Sequence, residues 1–164
     1  NARAHPPCMV ANAATALAAM AAAARDIGFL PILLGDNLEG DAANLANEHA
    51  AIAIDHAAAG ARVALLSGGE TSVAVGPTAG RGGRNQTYAL ALAIALRAHP
   101  AICAFAADSD GIDGNSKHAG GMIFPDTLAR CRARGIDPEQ SLSSSDSAAA
   151  FERLGDCLIT GPTL

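Results

Sequence analysis

The sequence predicts an α/β domain: a layered, mainly parallel sheet with helices on both faces. Three observations point there. Short apolar runs of strand length alternate with longer Ala- and Leu-rich stretches of helical length. Strands separated by helices imply crossover connections, which parallel pairing requires. Polar or Gly-rich loops follow several of the apolar runs, as they do where ligands bind at the carboxyl ends of strands. The 164 residues suit one ordinary domain, residues 1–164, with no internal repeat, linker or low-complexity tail beyond an alanine bias.

In chain order, "PCMVA" (Pro7 to Ala11) reads as a strand. "NAATALAAMAAAARDIG" reads as a helix from Asn12 to about Ile27, with Gly28 as its stop signal. "LPILLG" (Leu30 to Gly35) reads as a short buried strand with Pro31 at its start or on an edge. A second helix is expected from Asp41 to Ala59, before Gly60. "RVALLS" (Arg62 to Ser67) and "TSVAV" (Thr71 to Val75) read as two strands joined by the turn "SGGET". A helix then runs to about Ala98, ended by Pro100, and "AICAFAA" (Ala101 to Ala107) is a strand feeding "DSDGIDGNSKHAGG". Short helices near Asp126 to Arg134 and Ser147 to Leu154 precede a last strand, "CLITG" (Cys157 to Gly161).

Composition narrows the function. A net charge of −5 lacks the basic face that a nucleic-acid surface needs. No apolar run reaches the length of a membrane span, and no basic-then-apolar leader marks export, so the reading is cytoplasmic. Cys8, Cys103, Cys131 and Cys157 are scattered without a C-x-x-C pair, which reads as reduced thiols. Aromatics are only 3%, so the core must come from Leu, Ile, Val and close alanine packing.

Familiar catalytic templates are absent. There is no P-loop; "GRGGRN" has Asn85 where the last glycine of a dinucleotide fingerprint belongs. "LLSGG" lacks the first glycine of a nucleophile elbow. "DSDGID" starts like an EF-hand, but Ile112 stands at a ligand position and Ala119 where the bidentate Glu should be. His49 and His56 share a helical stripe with Leu45 and Ile52 and read as boundary or core residues; His118 is the better site candidate.

What remains is a set of polar loops. In "GRGGRNQTYALALAIAL" (Gly80 to Leu96), Arg81 and Arg84 stand among glycines at a helix start, where unpaired N–H groups and the dipole favour an anion. A guanidinium suits a carboxylate or a phosphate; the alternative is pairing with aspartates across the rim. "SGGET" could form an amide nest for an anion or a strand-joining turn with Glu70 in an ion pair. "DSDGIDG" places Asp108, Asp110 and Asp113 within six residues, either to assist Mg²⁺ or as a loop rich in Asx turns. If the sheet is parallel at their strands, these loops and "TGPT" share one rim.

Together, "LLSGGETSV", "GRGGRNQTYALALAIAL", "DSDGIDGNSKHAGGMI" and "LITGPT" resemble, in order and spacing, the MOFRL-type C-terminal domain of the glycerate 2-kinase family. Members of that family are often labelled hydroxypyruvate reductase. Residues 62–164 form the MOFRL-like motif region, and "VANAATALAAMAAAARDIGFLPILLGDNLEGDA" looks like the segment leading into it. The resemblance implies phosphorylation of D-glycerate to 2-phosphoglycerate with ATP and Mg²⁺, in a cleft between two α/β domains. It marks Ser67, Gly68, Gly69, Glu70 and Thr71, then Arg84, Asn85 and Gln86, then Asp110, Gly111 and Asp113, and finally Thr160, Gly161, Pro162 and Thr163.

The roles expected on that basis give Arg84 the glycerate carboxylate or the transferring phosphoryl, with the "SGGET" amides cradling the same anion, and give Mg²⁺ to Asp110 and Asp113, directly or through water; Arg81 is a further substrate-binding candidate from its place at the helix start. The family's larger N-terminal domain, with its active-site lysine, is not in these residues, and the family pattern runs on past "TGPT". The chain therefore reads as the C-terminal part of a two-domain enzyme, inactive alone. Two other functions fit the same residues: an NAD(P)H-dependent hydroxypyruvate reductase, or a non-catalytic domain that binds small carboxylates.

Overall fold

The computed structural model describes residues 12–74 and 80–162. Its elements run α1 (Ala13–Asp26), β1 (Leu30–Asp41), α2 (Ala42–Ala58), β2 (Val63–Ser72), α3 (Arg84–Leu96), β3 (Ala104–Ala107), β4 (Gly120–Ile123), α4 (Thr127–Ala133), α5 (Pro138–Ser143), α6 (Ser147–Leu154) and β5 (Cys157–Leu158). The α/β class is as expected. The strand anticipated at Pro7 to Ala11, the end of "TSVAV" at Val75, Cys8 and Thr163 lie outside the described residues.

The chain forms two compact units: one from the segments up to Glu39 and Arg62–Glu70, the other from Gly40–Ala61 and Thr71 onward. In the first, Asn12 caps α1 by accepting a hydrogen bond from Thr15 N at 2.8 Å. Gly28, at φ +82°, ends the turn that follows it. Leu17 and Ala21 of α1 bury against Leu66 of β2. β1 and β2 pair with each other. Leu30 N donates to Arg62 O at their starts, and Ser72 Oγ donates to Gly40 O at their ends, so the pair runs parallel.

β2 corrects the expectation of two strands around a turn. The chain stays extended from Val63 through Ser72, so "SGGET" lies within a strand. Gly69 explains why: a Cβ there would fall 2.1 Å from Leu38 O, and its φ of +152° is open only to glycine. The glycine lets the two backbones approach instead of folding into an amide nest.

In the second unit, Asp41 caps α2 through Asn44 N at 2.9 Å. α3 is the centre. Ala89, Leu90, Ala91, Leu92, Ala93 and Leu96 are all buried, the pattern of a helix covered on every side. It packs on α2, on β3 and β4, and on α4, α5 and α6. Small side chains allow this, because the alternating alanines bring neighbouring backbones close.

The sheet here has the order β3-β4-β5 and is antiparallel throughout, with Ala104 opposite Ile123 and Gly121 opposite Cys157. The parallel pairing thus holds for β1 and β2 but not for these three strands. β4 lies in what reads as loop, since paired glycines weaken a strand. A Cβ on Gly120 would meet Ala106 O at 1.8 Å, so the close pairing with β3 depends on the missing side chain. With β4 reversed between them, β3 and β5 still point the same way, and the loops after both leave the sheet at one end.

His49 is a core residue, as its helical stripe implies. Its Nδ1 lies 2.7 Å from the Tyr88 hydroxyl, joining α2 to α3, and the rings meet edge-on. Burial lowers the His49 pKa below 6.5, with Glu48 opposing, and pushes Tyr88 up to about 12. Below pH 6.5 the unfolded chain then takes up a proton that the folded chain refuses. Stability should therefore be flat above that pH and fall as pH drops through the interval down to the folded value. His49→Gln should flatten this dependence, measured as urea midpoints at pH about 7.5 and about 5; an equal acid loss in the variant would contradict it.

Candidate functional site

The start of α3 answers the question raised by its glycines and arginines. Gly83, at the N-cap, supplies no side-chain cap. The cap comes from Asp113, which accepts hydrogen bonds from Asn85 N at 3.0 Å and Asn85 Nδ2 at 3.1 Å through Oδ1, and from Gln86 N at 2.7 Å through Oδ2. Asp113 is fully buried. The anion at this helix start is thus the protein's own carboxylate, which satisfies the orphan N–H groups and meets the positive end of the dipole. Gly83 is required there because a Cβ would lie 2.4 Å from Asp113 Oδ1.

The carboxylate expected to hold Mg²⁺ is thus placed as the cap of α3. Both of its oxygens face the α3 amides, and no solvent reaches it. Among the described residues, no group of three or more His, Cys, Asp or Glu side chains is placed to hold a metal ion. Asp110 is exposed and accepts from Ile112 N at 2.8 Å through Oδ1, the Asx turn that was the alternative reading of this loop. Of the two carboxylates expected at Mg²⁺, Asp110 is the one exposed to solvent.

The two arginines part company. Arg81 is half exposed and forms a bidentate pair with Glu152 on α6, at 2.9 and 2.6 Å. The Arg81 guanidinium holds Glu152 below the usual carboxylate range. His118 joins from the side, its Nδ1 3.9 Å from Glu152 Oε1. Arg84 opens α3, and its Nη2 donates to Asp108 Oδ2 at 2.7 Å. The two side chains are 31% and 15% exposed, a pair partly shielded from water.

The loops around this point are stapled together. Gly82 N donates to Asn115 Oδ1 at 2.8 Å, and Arg81 N to Asp146 Oδ1 at 2.9 Å. Gly111 packs on the segment after β5, where a Cβ would come within 2.0 Å of Gly161 O. Thr160 is exposed and donates to Gly161 O at 3.1 Å. The "DSDGIDG" and "TGPT" loops therefore share one rim, through two same-direction strands around an antiparallel one and not through the parallel pairing on which the expectation depended; "SGGET" lies within a strand instead.

The remaining predicted residues are placed as follows. Asn85 is half-buried and engaged with Asp113. Gln86 is wholly buried, and neither polar atom of its side-chain amide has a hydrogen-bond partner. Ser67, Gly69 and Glu70 are exposed and Gly68 half-buried, all in the first unit; half-buried Thr71 belongs to the second. Asn115, Asp146 and Glu152 carry no sequence signal, because each acts on a residue more than thirty positions away. Asp108 was legible only as one of three clustered carboxylates.

Comparison with known proteins agrees with this architecture. Residues 63–164 match the MOFRL family. An Agrobacterium vitis protein provisionally named as a hydroxypyruvate reductase is 48% identical over 161 residues, covering 95% of this chain and 37% of the relative. A glycerate 2-kinase of Pyrococcus horikoshii is 33% identical over 159 residues, covering 94% of this chain and 36% of the relative. The crystal structure of glycerate kinase from Thermotoga maritima superposes with a TM-score of 0.84 at 34% identity, over 92% of this chain and 37% of that one. The chain spans just over a third of the length of these relatives. By its matched residues, its sequence and its fold, this chain belongs to the MOFRL family.

Proposed function

We propose that this chain is the C-terminal part of a two-domain, cytoplasmic, ATP-dependent D-glycerate 2-kinase, converting D-glycerate and ATP to 2-phosphoglycerate and ADP, and that it forms one wall of the substrate cleft. The observation that carries the reading is Arg84: a shielded guanidinium at the first position of a buried helix, beside the rim where the loops after β3 and β5 meet. Phosphoryl transfer asks chiefly for positioning and for opposing the charge on the transferring group. Arg84 supplies that charge to the glycerate carboxylate or the phosphoryl oxygens. Asp110 is the carboxylate of this chain that would share Mg²⁺ with the nucleotide phosphates, an ion that offsets their negative charge. Asp113 works at one remove, by fixing the start of α3 and hence the base of Arg84.

The kinase names carried by the Pyrococcus and Thermotoga relatives support this reading. The reductase name on the Agrobacterium relative motivates a control. Full-length protein given Mg-ATP should release ADP only when D-glycerate is added, and the isolated 164-residue segment should release none. Oxidation of NAD(P)H by hydroxypyruvate without ADP release would instead establish the reductase. Glycerate binding with neither reaction would leave a carboxylate-binding domain.

A further inference from the structure

We infer that Asp108 is a positioning residue that holds the Arg84 guanidinium ready for the anionic substrate; the inference rests on the proposed role of Arg84. Both ends of the pair stand on fixed backbone. Arg84 is the first residue of α3, whose next two amides are held by Asp113. Asp108 follows β3 directly; its N–H donates to Ala119 O at 2.7 Å, and its carbonyl accepts from Gly111 N at 3.2 Å. Between these anchors runs one short charge-assisted bond, Nη2 to Oδ2 at 2.7 Å, with Asp108 only 15% exposed.

An arginine side chain has many rotamers, and holding the guanidinium before substrate arrives removes an ordering cost from binding. The Asp108 bond takes a guanidinium N–H at Nη2 and so sets the direction of the fork. The same contact could instead be a competitor, an internal carboxylate sitting where the substrate carboxylate must go. Position and charge separate the two. Asparagine keeps an acceptor oxygen at the same place and removes the charge, whereas alanine removes both.

The experiment measures kcat/KM for D-glycerate in the full-length enzyme for Asp108→Ala, Asp108→Asn, Arg84→Ala and the double variant Arg84→Ala with Asp108→Ala. Positioning predicts a loss of about tenfold for Asp108→Ala. Asp108→Asn should stay within about twofold, because its amide oxygen still accepts from Nη2. The alanine loss should vanish in the Arg84→Ala background. KM for ATP and the unfolding midpoint should hold, since a merely structural role would move both. If Asp108→Ala does not fold, Asp108→Ser, with a hydroxyl too short to reach Nη2, takes its place.

Higher kcat/KM in both Asp108 variants would make Asp108 a competitor and overturn the inference. So would no change, or an equal loss in both arginine backgrounds. In that last case a wild-type enzyme that still makes glycerate-dependent ADP leaves the kinase reading standing. A wild type without that ADP overturns the kinase reading and this inference with it.

Discussion

In the full-length enzyme, Arg84→Ala is expected to lower kcat/KM for D-glycerate about a hundred- to a thousandfold, the scale of losing one preorganised donor to developing charge. The loss should be functional rather than structural. The start of α3 is held by Asp113 through Asn85 and Gln86, bonds that the substitution leaves in place. Its pair with Asp108 is partly exposed, so the loss of that pair by itself should move the unfolding midpoint little. Arg84→Lys should recover part of the rate, because an ammonium keeps the charge but not the planar fork. Steady-state ADP release against D-glycerate concentration checks this. Turnover near wild type in Arg84→Ala would remove Arg84 from the site and leave the proposed function without its main support.

Asp113→Ala is expected to destabilise the protein by about 3 kcal/mol. The substitution leaves the backbone N–H groups of Asn85 and Gln86 without their acceptor at a buried helix start. It also removes a negative charge from the positive end of the most buried helix, and no side chain at Gly83 can substitute. Against a typical domain stability of about 5–15 kcal/mol, such a loss is large. Asp113→Asn should recover only part of it, since its amide nitrogen would confront a backbone donor. Urea unfolding at neutral pH measures the difference. A variant of wild-type stability whose kinase activity had lost its Mg²⁺ dependence would instead return Asp113 to the metal, against the capping geometry.

The contrast between Asp113 and Arg84 shows what could be read from the chain. The helices other than α5 were legible because their signals are local: Asn12 and Asp41 cap residues three positions on, and Gly28 turns the chain immediately after α1. α3 was legible as a helix from its run of Ala, Leu and Ile, but its complete burial was not. The family was legible from four motifs in order, since each is a contiguous string and their spacing survives in sequence. The "DSDGIDG" and "TGPT" loops do meet, but across an antiparallel β4 that was not foreseen and without "SGGET", so the expected parallel rim did not hold.

What the sequence by itself determined, then, is the α/β class, the principal helices, the membership in a family and the short strings that matter. Only the tertiary structure decided what the charges in those strings do. Arg81 and Arg84 look alike three residues apart, yet one is claimed by Glu152 from α6 and the other by Asp108 after β3. Asp110 and Asp113 look like a matched pair, yet one is exposed on a turn and the other is buried beneath a helix start. In the same way, "SGGET" reads as a turn until Leu38 lies against Gly69. The physical reason is common to all three. A capping bond or a helical turn is settled within four residues of chain, whereas an ion pair, a buried cap or a glycine close approach is settled by whichever distant backbone the fold brings alongside.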